Sequence, residues 1–128
     1  MSETKWRSFA EPRTDREYLA LISYLPLAQM RMLPKFLSYT RTIQAQLNAA
    51  RGLIGYALLA QVLRRRFWTL SVWEDEQVLM AFVQRVPHSA VMAALTPHLG
   101  LTKFVRWTIP GSAVPPTWDE ALRRLQPE

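Results

Sequence analysis

The stretch that decides the fold is FWTLSVWEDE, residues 67–76. Its first seven residues are mostly aromatic or β-branched, which favours a β-strand. Its last three residues are acidic, and negative charge is favourable where a helix begins, so a helix is predicted from about Glu74. The apolar stripe of this helix consists of Val78, Leu79, Phe82, Val83 and Val86. Pro87 interrupts the stripe, and His88 follows directly.

The other elements are predicted from the same signals of periodicity, turns and helix ends. Strands are expected at residues 17–24, 53–62, 66–73 and 101–109, and helices between Pro34 and Gly52 and over residues 87–95. Thr117 followed by Glu120 is a capping-box pattern, which opens a tail helix ending near Leu125. The order β-α-β-β-α-β plus a C-terminal helix predicts an α+β fold, the ferredoxin-like arrangement with an antiparallel sheet.

One domain is predicted over residues 17–128, preceded by a loose, polar N-terminal arm at residues 1–16. A chain of 128 residues can bury its own core, and a hydrophobic share of 49% excludes a disordered chain. No apolar run approaches the ~20 residues of a membrane-crossing helix, and no signal peptide is visible. We therefore expect a cytoplasmic protein without a membrane span.

The residue types present exclude several kinds of site. With no cysteine and only His88 and His98, the sequence argues against disulfides, thiolate nucleophiles and multi-histidine metal centres. No paired carboxylates, nucleophile elbow or phosphate-binding loop can be found. The net charge is +6, but the basic residues are scattered, except at residues 64–66, where a charged hairpin turn is expected. A nucleic-acid-binding module using these three arginines is the least favoured function.

The strands predict a sheet that is apolar on both faces, because they do not alternate cleanly between apolar and polar residues. In the second strand, one side is predicted to carry Leu53, Ala57 and Leu59, and the other Ile54, Tyr56, Leu58 and Val62. Two helices can cover one face of a four-stranded sheet. The second face is expected to pack against a second copy, which predicts a homodimer; coverage by the tail helix within one chain is the competing explanation.

His88 is the candidate catalytic residue. It stands at the start of a helical segment, where the helix dipole lowers the pKa of a histidine and favours neutral imidazole. Neutral imidazole can act as a general base, hydrogen-bond a substrate or ligate a haem iron. The alternative is that His88 only caps or packs at a joint between helical segments. Aromatic residues form either core or a pocket for a planar, apolar ligand. The candidates are Tyr56, Trp68, Trp73, Phe82 and Trp107.

The run at residues 67–75, followed by Phe82-Val83 and Pro87-His88, resembles the spheroidene-monooxygenase-like branch of the dimeric α/β-barrel superfamily. That superfamily includes the antibiotic-biosynthesis monooxygenases. Weaker support comes from residues 53–56, 104–107 and 115–118, the last of which is similar to small bacterial members, so the resemblance covers most of residues 17–125. It implies a ferredoxin-like protomer whose sheets pair into a barrel, with a ligand cavity between each sheet and its helices.

The resemblance leaves the reaction open, because this fold hosts cofactor-free oxygenases, haem-dependent oxygenases, haem-degrading enzymes, isomerases and proteins with no known activity. The preferred hypothesis is a small dimeric monooxygenase-like enzyme that acts on an apolar aromatic or polyene metabolite, with no cofactor or with haem. His88 would be its base or haem ligand. The substrate-binding residues would be Tyr56, Trp68, Trp73, Phe82 and Trp107. The alternative is a non-redox metabolite-binding protein, isomerase or cyclase on the same scaffold.

Overall fold

The computed structural model describes residues 2–126, which form an antiparallel sheet with helices on both faces. The strands are β1 (Ser2–Glu3), β2 (Arg7–Ser8), β3 (Glu17–Pro26), β4 (Leu53–Gln61), β5 (Arg66–Trp73) and β6 (Lys103–Pro110). The helices are α1 (Leu33–Asn48), α2 (Glu76–Gln84), α3 (His88–Leu95) and α4 (Trp118–Leu125). Within residues 2–126 no single helix is long and apolar enough to cross a membrane; Glu76–Gln84 and His88–His98 pass that test only as a pair, bent by 64°.

The stretch at residues 67–76 forms the predicted strand and helix start. β5 runs into α2, whose first turn is capped by Asp75: its Oδ1 accepts a hydrogen bond from the Val78 N–H at 3.0 Å. The same kind of cap opens α4, where Thr117 Oγ1 accepts from the Glu120 N–H at 3.1 Å. Such caps satisfy N–H groups that the first turn of a helix leaves without an intrahelical partner. Both predicted helix starts are therefore confirmed.

The four long strands lie in the order β4-β5-β3-β6, and each neighbouring pair is antiparallel. α1 connects β3 to β4, while α2 and α3 connect β5 to β6, so the predicted α+β, ferredoxin-like fold is confirmed. Between β4 and β5 the chain turns at the basic hairpin. There Arg65 adopts a φ of 57°, and its Nε donates to the Leu27 carbonyl at 3.0 Å. Arg65, one of the three clustered arginines, thus stabilises this turn.

The two faces of the sheet are covered by different elements. We call the face under α1, α2 and α3 the helix face, and the face under α4 the tail face. A β-bulge between Leu53 and Gly55 shifts the register of β4 against β5. As a result, Leu53 packs with Tyr56 in the core of the helix face, whereas Ile54 packs with Val72 on the tail face. The sides predicted for Leu53 and Ile54 are therefore wrong.

The tail helix covers the tail face within the same chain. Ala121 and Leu125 of α4 are buried in one core with Trp107 of β6. Lys103 Nζ donates to the Leu125 carbonyl at 2.6 Å, and the Arg124 guanidinium lies 4.9 Å from the centre of the Trp107 ring. The competing explanation offered by the sequence therefore holds for this face, and a second copy is not needed to cover it.

The N-terminal arm is seated on the edge of β4, where β1 and β2 both pair with that strand. Trp6 packs on the tail face against Gly55, while the Phe9 ring stacks with the Tyr56 ring at a centroid distance of 5.9 Å. The arm thus wraps β4 from both sides, and the expectation of a loose segment is wrong. The division into an arm and one domain over residues 17–128 stays a prediction, and the last two residues of that range lie outside the described part.

Candidate active site

A cavity of about 320 Å³ lies between the helix face of the sheet and helices α1, α2 and α3. Its floor includes Leu21 of β3 and Phe67 of β5. Its walls include the apolar side chains of Phe36, Leu37, Ile43, Leu47, Leu79, Phe82, Val83, Val91, Met92 and Leu95. A mostly apolar cavity with few polar groups suits a small apolar ligand. The cavity between sheet and helices that the resemblance implies is therefore present.

His88 begins α3 and lines this cavity. Its Nδ1 lies 3.2 Å from the carbonyl oxygen of Val83. Because a carbonyl oxygen can only accept, this hydrogen bond places the proton on Nδ1 and leaves Nε2 with the free lone pair. Among the described residues, Nε2 has no hydrogen-bond partner. Nε2 is thus the atom that can take a proton from a bound molecule.

Burial lowers the pKa of His88 below its ordinary value of 6.5, because the charged imidazolium loses hydration. The hydrogen bond to the Val83 carbonyl raises the pKa and is the weaker of the two effects. His88 is therefore neutral at neutral pH and can act as a base. Its ring also caps a carbonyl in the last turn of α2, so His88 combines the capping role and the place beside a pocket that the sequence left as alternatives.

Four of the six predicted site residues line the cavity: Trp68, Trp73, Phe82 and His88. The Phe82 ring packs between the rings of Trp73 and His88, at centroid distances of 5.1 Å and 5.2 Å. The Trp73 side chain is 1% exposed, and its Nε1 donates to Ser71 Oγ at 2.9 Å. This row of rings gives the imidazole a rigid, apolar surrounding on one side.

The other two predicted residues, Tyr56 and Trp107, do not line the cavity. Trp107 is buried on the tail face. The Trp68 ring packs against Tyr24 in the tail-face core, and Trp68 is also one of the lining residues. Tyr56 is buried on the helix face, stacked on Phe9, and is not among the lining residues. The substrate-binding role of Tyr56, Trp68 and Trp107 stays a prediction.

The polar residues of the site were not predicted from the sequence. Ser23 of β3 and Thr69 of β5 are directly opposed across the sheet and line the cavity, and Ser71 lies two residues further along β5. The signal was present in residues 67–73, where hydroxyl side chains alternate with large apolar ones, as expected for one face of a strand. Gln46 of α1 was also missed; its Oε1 accepts from the His88 N–H at 2.8 Å.

The lining residues fit haem poorly. His88 Nε2 is a free imidazole nitrogen, the kind of axial ligand that haem iron takes. Haem also carries two carboxylates, which need cationic or hydrogen-bonding partners when they are buried. Among the described residues, the cavity lining contains no lysine or arginine, and its one charged residue is Glu3. Within residues 2–126, no group of three or more His, Asp or Glu residues could hold a metal ion.

A family model described as a domain of unknown function, DUF3291, matches residues 34–127. The chain belongs to the DUF3291 family. The matched region runs from the first turn of α1 through α4 and includes His88. No curated protein matches this DUF3291 chain by sequence.

Solved structures show the same fold at low identity. A Nitrosomonas europaea protein, described as a candidate antibiotic biosynthesis monooxygenase, is 14% identical, with a TM-score of 0.65 over 82% of this chain and 97% of that one. SnoaB, a cofactor-independent oxygenase from Streptomyces nogalater, is 15% identical, with a TM-score of 0.57 over 73% and 93%. A dimeric ferredoxin-like protein of unknown function from Thermobifida fusca is 19% identical, with a TM-score of 0.59 over 76% and 95%.

These likenesses confirm that the DUF3291 chain has the ferredoxin-like fold of antibiotic-biosynthesis-monooxygenase proteins. They are below the identity at which a reaction can be carried over, so they bear on the fold alone. The finer resemblance to the spheroidene-monooxygenase-like branch stays a prediction.

Proposed function

We propose that this DUF3291 protein is a small oxygenase that acts on an apolar aromatic or polyene metabolite without haem, with His88 as its general base. The observation that carries the proposal is a neutral histidine in the wall of a mostly apolar cavity, with no partner for Nε2 among the described residues. Proteins of similar fold that are named as an antibiotic biosynthesis monooxygenase and a cofactor-independent oxygenase support this choice.

The chemistry follows from the position of the base. Removal of a proton by Nε2 from a hydroxyl or an activated carbon of the bound ring would leave an electron-rich anion. Such an anion reacts with O2 more readily than its neutral parent does, and oxidation of a CH2 group to C=O by O2 releases one water. Trp73 and Phe82 would hold a flat ring beside the base and exclude water. Ser23 and Thr69 offer hydroxyls on the cavity floor to oxygen atoms of the ligand.

We further propose that the protein is a cytoplasmic homodimer. A protein of similar fold is named as dimeric, and the absence of cysteine fits a reducing compartment. Light scattering after size-exclusion chromatography tests the assembly. A mass near twice the 14.8 kDa of one chain supports a homodimer, and the mass of a single chain contradicts it.

Oxygen consumption measures the proposed activity directly. Hydroxylated polycyclic aromatics and polyenes are supplied to the wild type, to His88→Ala and to His98→Ala, in buffer free of metal ions. His98 is the matched control, because it is the other histidine and is not among the lining residues. We expect substrate-dependent oxygen uptake that falls on the order of 100-fold or more in His88→Ala and persists in His98→Ala. Equal uptake in the two variants contradicts the role of His88.

Two outcomes would favour other functions. If added haem gives a Soret shift that disappears in His88→Ala, then His88 is a haem ligand. That result would contradict the proposal of an oxygenase without haem. If an apolar ligand binds without oxygen uptake, and any turnover continues under anaerobic conditions, then the protein is a non-redox binding protein, isomerase or cyclase. The same mostly apolar cavity would serve that second function.

A further inference from the structure

We propose that Gln46 is a positioning residue that holds His88 in its orientation and tautomer at the cavity wall, an inference that rests on the proposed role of His88 as the base. Gln46 lies on α1, and His88 lies 42 residues later at the start of α3. The side-chain amide of Gln46 makes two hydrogen bonds to the segment that joins α2 to α3. Its Oε1 accepts from the His88 N–H at 2.8 Å, and its Nε2 donates to the Phe82 carbonyl at 3.3 Å.

The break between α2 and α3 needs partners of this kind. The first N–H groups and last C=O groups of a helix have no intrahelical partner, and α3 has no side-chain cap from Pro87. Gln46 supplies the acceptor for the His88 N–H at the start of α3. At the end of α2, Gln46 Nε2 donates a hydrogen bond to the Phe82 carbonyl, and His88 Nδ1 donates one to the Val83 carbonyl. Gln46 and His88 therefore both provide hydrogen bonds to main-chain groups at the break between α2 and α3.

This arrangement couples Gln46 to the imidazole. Both hydrogen bonds start from one planar amide, so the Phe82 carbonyl and the His88 main chain are held at a fixed spacing. The Val83 carbonyl, which places the proton on Nδ1, lies within that span. The Phe82 ring packs against the imidazole at a centroid distance of 5.2 Å. Loss of the amide would therefore loosen both the acceptor that selects the tautomer and the ring that packs on it.

Gln46 acts through His88 and does not act on the ligand. It is half-buried and is not among the residues that line the cavity. Burial lowers the His88 pKa and the hydrogen bond to the Val83 carbonyl raises it, and no charged side chain is among the causes. Replacing Gln46 by another neutral residue therefore changes the geometry around the imidazole without adding a charge.

Nitrogen-15 NMR of the imidazole rings tests this proposal. The chain has two histidines, so His98 is an internal reference in each spectrum. In the wild type we expect His88 to carry its proton on Nδ1 and to have a bare Nε2. Gln46→Met keeps the side-chain length and removes both hydrogen bonds. It should give a mixture of the Nδ1–H and Nε2–H tautomers, because the loosened Val83 carbonyl no longer selects one of them. Gln84→Met, at the exposed end of α2, is the matched control and should leave the His88 signals unchanged.

Gln46→Glu keeps an acceptor for the His88 N–H but removes the donor to Phe82. It should retain the Nδ1–H tautomer while its carboxylate raises the His88 pKa. If Gln46→Met does not fold, this second variant tests the positioning role of Gln46. An unchanged tautomer in folded Gln46→Met overturns the proposal, as does loss of the Nδ1–H tautomer in Gln46→Glu.

Turnover provides a readout that separates positioning from folding. With a substrate, kcat of Gln46→Met should fall about 10- to 100-fold while KM changes little, because the ligand contacts are intact and only the base is misplaced. A higher KM with an unchanged kcat contradicts a positioning role for Gln46. Failure of the proposed function is visible separately, as absence of oxygen uptake in the wild type, and it leaves the NMR result on Gln46 and His88 standing.

Discussion

Replacement of Gly55 by alanine should destabilise the protein through its contact with Trp6. A Cβ at position 55 would lie 2.5 Å from Trp6 Nε1 and Cε2, far closer than van der Waals contact allows. Gly55 pairs with β2 on one side and with β5 on the other, so its backbone cannot move away easily. The indole must therefore be displaced. Forcing a methyl group into such a contact costs about 1–3 kcal/mol.

A double-mutant cycle with Trp6→Ala isolates this contact. Trp6 is partly buried, so its truncation should cost about 2 kcal/mol, less than the 3–5 kcal/mol typical of a fully buried aromatic residue. Once the indole is absent the added methyl group fits, and the double variant should be no less stable than Trp6→Ala alone. The interaction energy is then about −1 to −3 kcal/mol. Urea unfolding of all four proteins at one concentration measures it. Additive costs would refute the seating of the arm on β4.

The further predictions concern three single sites. Asp75→Ala removes the cap on the Val78 N–H and should lower the free energy of unfolding by about 1 kcal/mol, measured by urea unfolding. Gly52→Ala should cost about 2–4 kcal/mol, because position 52 has a φ of 82° and its new Cβ would lie 2.7 Å from Val78. For His88, the folded pKa is below 6.5, so the unfolded chain binds more protons between the two values. The contribution of His88 to the free energy of unfolding is present above pH 6.5 and is lost as pH falls through that window. His88→Ala should abolish this pH dependence. In the same window kcat/KM should decline as the base is protonated, and a level profile contradicts its role.

Local signals were sufficient to predict the long elements of this fold. A cap, a proline or a glycine acts within a few residues, so the starts of α2 at Asp75 and α4 at Thr117 could be predicted from the sequence. The sheet order followed from the order of the elements. His88 could be singled out because the chain has no cysteine and only two histidines.

The assignment of residues to faces could not be predicted, because it depends on register. One bulge in β4 sends Leu53 and Ile54 to the sides opposite those expected. Trp107 and Trp73 are both buried indoles on strands, and only the strand pairing shows that one faces α4 and the other the cavity. Gln46 escaped notice because its partner lies 42 residues away, and neither local spacing nor composition links the two.

The coverage of the tail face limits how two copies of this protein can assemble. α4 and Trp6 occupy the side of the sheet on which a neighbouring subunit would lie in a barrel. Two chains can meet there only if these segments are pushed aside or exchanged, with each tail helix docking on the sheet of its neighbour. Such a domain swap keeps the contacts of the tail and changes only which chain provides them. The connection at residues 111–117 then determines, by its length and stiffness, whether the core is completed by one molecule or by two.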